Sequence, residues 1–182
     1  MKSFKALTLF LLASFVFAAG ANAASAVQLQ TDSQAALARL YADNPKARDL
    51  GQKAYAILVF PTVVKIGILM AGGQRGDGVL WQSGQVAGYY NTTSASGGPQ
   101  AGIQTFSYAL FFMTKDDLKD LNKSGGFNLG AAPSLVVANK GVANDTSIYS
   151  LQGIKAFIFG QKGLMAGLGL QGTKISQFAP SK

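Results

Sequence analysis

The sequence predicts an α+β fold: short N-terminal helices, then a curled antiparallel β-sheet or barrel-like core of about eight strands with one inserted helix. Three observations predict it. Helical spacing and capping residues are confined to residues 31–53 and 114–125. Apolar and alternating runs rich in β-branched and aromatic residues fill most of the remainder. Glycine is abundant, at 22 of 182 residues against an average usage of about 7%. Many of these glycines fall inside the strand-like runs, where they mark bulges and tight bends of a curved sheet. Whether such a sheet closes is left open by the pattern.

The chain begins with a targeting signal rather than with structure. Lys2 and Lys5 precede an apolar run from Ala6 to Ala19, and Ala21-Asn22-Ala23 has the small-residue form of a cleavage site. The run is too short to span a bilayer, which takes about 20 residues. Residues 1–23 are therefore expected to be a signal peptide cut near Ala23, giving a periplasmic or secreted protein. No cysteine follows the run, so a lipoprotein anchor is excluded.

After a mobile lead over 24–30, Thr31 or Asp32 caps a helix to about Asp43, with Ala36, Leu37, Leu40 and Tyr41 on one stripe. Asn44-Pro45 reads as N-cap and first residue of a second helix to about Lys53, with Asp49 and Lys53 in the favourable ion-pair order. Ala56–Phe60 is a buried strand closed by Pro61. Val63–Gly73 and Gly78–Gln82 form a pair around a Gln74-Arg75-Gly76-Asp77 turn. Val86–Thr93 and Ala101–Met113 form another around a polar loop, with Phe106, Tyr108, Leu110 and Phe112 on one face. Thr114 caps the inserted helix, which carries Asp116 and Asp117 first, Lys119 and Lys123 late, and Gly125 at its end. Strands resume at Phe127–Asn139, Thr146–Leu151, Ala156–Phe159 and Leu164–Gly172.

Composition excludes much chemistry. There is no Cys, His or Glu, and all eight acids are aspartates. Thiol nucleophiles, imidazole bases, Cys/His zinc sites and Ser-His-Asp triads are impossible. No S-x-x-K occurs, which removes Ser–Lys acyl transfer. Gly167-Leu168-Gly169-Leu170-Gln171-Gly172 fits G-x-G-x-x-G, but no acid follows it, so it reads as strand glycines rather than a dinucleotide loop. Arg75-Gly76-Asp77 reads as turn residues. Asp116, Asp117 and Asp120 complement a helix dipole rather than hold a metal. The expectation is a protein without enzyme activity, metal or cofactor.

The basic residues are more informative. The formal net charge is +8, with 16 Lys and Arg against 8 acids. In an exported protein such a balance favours anionic lipid or envelope polymers over nucleic acid. Lys46 and Lys53 lie seven apart, on one helix side with Leu50 between them, a spacing suited to an anionic bilayer surface. Lys65 opens a strand and Arg75 sits in the expected turn.

The motifs Phe60-Pro61, Val64-Lys65-Ile66-Gly67, Gly72-Gly73, Arg75-Gly76 and Gly78-Val79-Leu80 occur in that order. They are followed by Gly102-Ile103-Gln104, Phe127-Asn128-Leu129-Gly130, Ile148-Tyr149-Ser150 and Lys162-Gly163-Leu164, then Ala166-Gly167 and Gly172. Together they resemble the SYLF-domain family over roughly Ala47 to Phe178. The resemblance implies a lipid-binding module, with Lys65 and Arg75 at basic positions of the family pattern. Eukaryotic members bind phosphoinositides, and some bind actin; bacterial members are exported and stand alone. Pro133, where the family runs on as strand, implies an edge or bulge.

The resulting expectation divides the chain into a signal peptide (1–23), a lead and helix (24–46) and a SYLF-like lipid-binding domain (47–182). Its partner is anionic phospholipid head groups or a membrane surface, contacted by Lys65, Arg75, Lys46 and Lys53. The alternative is a periplasmic structural or protein-interaction domain. An outer-membrane barrel fits poorly, because Ala56–Phe60 and Leu135–Ala138 are continuously apolar instead of alternating.

Overall fold

A computed structural model describes residues 25–97, 101–122, 125–129, 135–138, 153–163 and 172–181. The expected signal peptide, the strands at Thr146–Leu151 and Leu164–Gly172, the Pro133 bulge and nearly all of the Gly167–Gly172 motif lie outside these residues.

Two helices lead. Ser25 caps α1 (Ala26–Asp43) by accepting from the Gln28 amide, so the helix starts five residues before the expected Thr31 and includes most of the segment expected to be mobile. Asn44 caps α2 (Pro45–Gly51) by accepting from the Ala47 amide at 3.1 Å, with Pro45 where its missing N–H costs nothing. Because α2 stops at Gly51, Asp49 and Lys53 do not share a helix.

Among the described residues eight strands form one sheet. They are β1 (Ala56–Ile68), β2 (Ala71–Gln82), β3 (Gln85–Gly97), β4 (Gly102–Phe112), β5 (Phe127–Asn128), β6 (Leu135–Ala138), β7 (Ile154–Gly163) and β8 (Lys174–Gln177). Their order is β5-β8-β3-β2-β1-β4-β7-β6, antiparallel throughout except for the parallel β6–β7 edge pair. The short edge strands β5 and β6 do not pair with each other, so the sheet is curled but open among the described residues.

Three strand expectations are corrected. Pro61 does not close the first strand. It sits in a bulge inside β1, where the register slips between Phe60 and Val63, and its carbonyl accepts the Ser107 hydroxyl at 2.6 Å. A residue without an N–H is tolerated at a bulge because no ladder bond is asked of it. The Gln74–Asp77 segment is not a turn; it runs through the middle of β2, and the chain reverses at Leu69-Met70. Gly76 and Gly78 are glycines for a different reason: an added Cβ would lie 2.6 Å from the Thr62 carbonyl oxygen and from Phe60, respectively. Finally, β3 and β4 are not neighbours, since β2 and β1 lie between them.

The sheet buries both faces of its base. The inner face gathers Leu58, Phe60, Phe106, Tyr108, Leu110 and Phe112 with Leu80, Tyr90, Ile158 and Ile175 from the two wings. The curl brings distant strands within hydrogen-bond reach: the Tyr108 hydroxyl of β4 donates to Thr92 of β3 at 2.6 Å, across two intervening strands. Leu118, Leu121, Phe127 and Leu129 fill the open side. These come from α3 (Lys115–Lys119), a following 3-10 turn, and β5 with the residue after it.

The outer face of the base, with Ile57, Val59, Ala109, Phe111, Phe157 and Phe159, is covered by Ala36, Leu40, Ala47 and Leu50 of the helices. The stripe expected on α1 is therefore a packing stripe. Leu50 is buried here, so it does not project between Lys46 and Lys53 toward solvent. The expected Phe106–Phe112 alternation lines the inner face as anticipated.

Candidate functional site

Among the described residues the helices cover only the base of the outer face. Beyond the Pro61 bulge, β1 and β2 continue as a hairpin, and its outer face carries Val64, Ile66 and Ile68 at alternate positions. Ile103 of β4 pairs beside Ile66. The apolar row does not end at the turn: Ile68 and Ile103 are each 63% exposed, Leu69 77% and Met70 64%. With Ala71, Gly72 and Gly73, the same strand residues line an open hollow of about 460 Å³. A stretch of apolar residues carried to the turn at the end of the sheet, flanked by β3 as far as Gly97 and by β4 from Gly102, differs from singly scattered surface apolar side chains and is a candidate interaction site.

The tip has an unusual backbone. Leu69 takes φ +56, the left-handed region that hairpin turns ordinarily fill with Gly, Asn or Asp. The other tight hairpin uses more permissive chemistry at its turn, with Ser83 at φ +51 and Gly84 at φ +76. Holding a leucine in the left-handed region costs about 1–2 kcal/mol. The side chain gains no burial in return, as its exposure shows.

One rung behind the tip, charge replaces hydrocarbon. Cross-strand register places Lys162 of β7, Thr105 of β4, Val64 of β1, Arg75 of β2 and Thr93 of β3 in one row of the outer face. Lys162, Arg75 and Thr93 are exposed. At about 3.3 Å per residue, this basic row stands about 13 Å behind Ile68. Asp77, the acid of the Arg-Gly-Asp triplet, lies one rung further back and half-buried; burial raises its carboxyl above the ordinary range, and Arg75 partly opposes this.

Lys65 occupies the other face at nearly the same height. It is half-buried and paired in register with Gln104 and Gln74. Gln74 donates to the Thr173 hydroxyl at 3.2 Å, and Gln104 Oε1 is buried without a hydrogen-bond partner. Lys65 and Arg75 are therefore brought together at one end of the sheet but on opposite faces. Lys46 and Lys53 are not brought to them: they lie on and just after α2, which packs against the base of the sheet. Lys162 was missed by sequence reading because β7 was expected to end at Phe159; the register shift opposite Phe106 lets the strand continue.

The remaining sequence candidates are structural. Asp117 and Thr114 form a reciprocal cap: the Asp117 amide donates to Thr114 Oγ1, the Thr114 amide donates to Asp117 Oδ2, and the Gly153 amide donates there as well. Asp116 pairs with Lys119 at 2.6 Å on the exposed side of the helix, and that bond lowers the Asp116 pKa. Among the described residues no acidic group is arranged to hold a metal ion. None of their helices is long and apolar enough to cross a membrane.

Residues 93–179, from the end of β3 through β8, match the family model described as Ysc84, Las17-binding protein actin regulator. The match is consistent with the SYLF-domain family. No curated protein matches it significantly. The SYLF family is one of lipid-binding and regulatory domains rather than of enzymes. The match includes Ile103, Thr105 and Lys162 of the projecting face, whereas the hairpin itself precedes it.

Proposed function

We propose that this chain is an exported, non-catalytic membrane-binding module that docks the apolar end of its sheet, at the β1–β2 turn, onto an anionic phospholipid surface. The observation that carries the reading is the juxtaposition of an apolar hairpin tip, strained at Leu69, with a basic row behind it. Interfacial segments bury their apolar side about 5–10 Å into the head-group and acyl boundary while their basic residues stay with the phosphates. A tip about 13 Å beyond the row of Lys162 and Arg75 reaches at least that depth while the row stays at or above the phosphates. Each basic residue near such a surface contributes about 1 kcal/mol, so apolar insertion and charge must act together. Lys65 approaches the same surface from the inner face, while Lys46 and Lys53 at the base remain in water. Export rests on the leader pattern of residues 1–23.

The test is co-sedimentation of the purified protein with phosphatidylcholine vesicles, with and without phosphatidylglycerol. Binding that requires the anionic lipid, falls with salt and weakens in Arg75→Gln and Lys162→Gln supports the reading. Equal binding to neutral vesicles, or retention of binding only by Lys46 and Lys53, contradicts it.

A further inference from the structure

A second site lies at the boundary between the helix-covered base and the projecting face. Two bulges meet there. On β1 the residues Pro61 and Thr62 together oppose Ser107, and on β7 Gly160 and Gln161 together oppose Phe106, with Gly160 at φ +64. Bulges disrupt the ladder locally and re-aim side chains, and they recur beside binding sites. Here they open a pocket of about 280 Å³.

Its lining chemistry is one-sided. Arg39, exposed on α1, and Lys162 of β7 supply two cations, and Thr62 and Thr105 supply hydroxyls. Among the described residues no carboxylate lines the pocket; the nearest acid by register, Asp77, sits across from Thr62 on β2. Neither Arg39 nor Lys162 is in an ion pair among the described residues. Arg39 offers a planar fork of donors, the geometry that matches phosphate oxygens, and Lys162 a compact point charge.

We propose that this pocket binds a phosphomonoester. Two cations and two hydroxyl donors match a group carrying about −1.5 to −2 charges and three terminal oxygens near neutral pH. A phosphodiester, with a single charge and two free oxygens, leaves part of the set unmatched. The phosphomonoester is either a lipid head group or a soluble ester. The lipid arm rests on the membrane-docking reading, because Lys162 also belongs to the basic row; the pocket itself does not.

Titration calorimetry of the purified protein with glycerol 3-phosphate, and separately with dimethyl phosphate, tests the site. The expected result is saturable binding of the monoester, tighter than the diester and weakened about tenfold or more in Arg39→Gln and in Lys162→Gln. Lys115→Gln, an exposed lysine on α3, leaves it unchanged. No saturable binding, equal binding of the diester, or an equal loss in Lys115→Gln overturns the proposal. Vesicles carrying phosphatidate or phosphatidylglycerol at equal charge then separate the sources. A larger loss on phosphatidate in Arg39→Gln supports a lipid head group, and calorimetric loss with unchanged vesicle binding supports a soluble ester. If no vesicle binds while glycerol 3-phosphate still does, the docking reading fails and the pocket stands.

Discussion

Replacing Leu69 with Asn and Met70 with Ser strips the hairpin tip of its two terminal apolar side chains without touching the core. Leu69 is 77% and Met70 64% exposed in the free protein, so most of their surface remains to be buried on docking. Full burial of such a side chain is worth about 1.5–3 kcal/mol, and the exposed fractions scale this to about 1–2 kcal/mol each. The double variant is therefore expected to lose about 3 kcal/mol of vesicle partitioning, roughly a hundredfold. Stability should move the other way. Both side chains are mostly exposed, and Asn tolerates φ +56 better than Leu, so the variant should be as stable as the parent or up to about 1 kcal/mol more stable. Vesicle sedimentation measures the first quantity and urea unfolding the second. Unchanged partitioning of a normally folded variant would refute the assignment of the tip, and a large drop in stability would show that the tip is structural.

Other predictions probe the scaffold. Ser107→Ala leaves the buried Pro61 carbonyl without its partner and should cost about 1–3 kcal/mol in urea unfolding, softening the bulge that shapes the pocket. Thr92→Val strands the fully buried Tyr108 hydroxyl at a similar cost of about 1–3 kcal/mol, whereas Thr92→Val combined with Tyr108→Phe should recover most of it. A double-mutant cycle showing simple additivity would deny the coupling. Gly78→Ala forces a Cβ into the Val59 carbonyl and the Phe60 ring, so it should destabilise more than Gly84→Ala, whose Cβ meets open space and which bears only the strain of its φ of +76. Burial pushes the Tyr41 phenol up to about 12. The unfolded chain ionises that phenol from about pH 10. The folded state thus holds the proton longer, and stability present below pH 10 declines between about pH 10 and 12. Tyr41→Phe should flatten that alkaline decline in pH-dependent melting.

Much of the scaffold is readable from local chemistry. Asn44-Pro45 sets the start of α2, Thr114 and Asp117 set the start of α3, and the two-residue alternation from Phe106 to Phe112 marks an inner face because each rule acts within a few residues. What resists reading depends on contacts far apart in sequence. Gly76 looks like a turn residue and Gly78 like the start of a strand, yet both are glycines because β1 crosses too closely for a Cβ. Pro61 looks like a strand stop, yet a hydroxyl from β4 satisfies its carbonyl within a continuing strand. The lysine pair at Lys46 and Lys53 loses its apolar companion because Leu50 turns into the core.

The candidate site was half legible. Arg75 and Lys65 stand near the hairpin tip, but the tip itself was hidden because a turn built from Leu69 and Met70 violates the usual turn chemistry. That violation is the available signal: alternating Val64, Ile66 and Ile68 running without a polar break into Leu69-Met70 leaves no place for solvent to be met comfortably. Lys162 required the β4–β7 register, and Arg39 required knowing how α1 crosses the sheet; neither is encoded locally.

The chain contains no cysteine, so single cysteines carry an environment-sensitive fluorophore without background. The most direct measurement places one at Met70 in the tip and, separately, one at Lys53 at the base, and adds anionic vesicles containing bilayer-depth quenchers. A blue shift and strong quenching are expected at position 70, with an unchanged spectrum at position 53. A response at position 53 with none at position 70 would contradict docking by the tip.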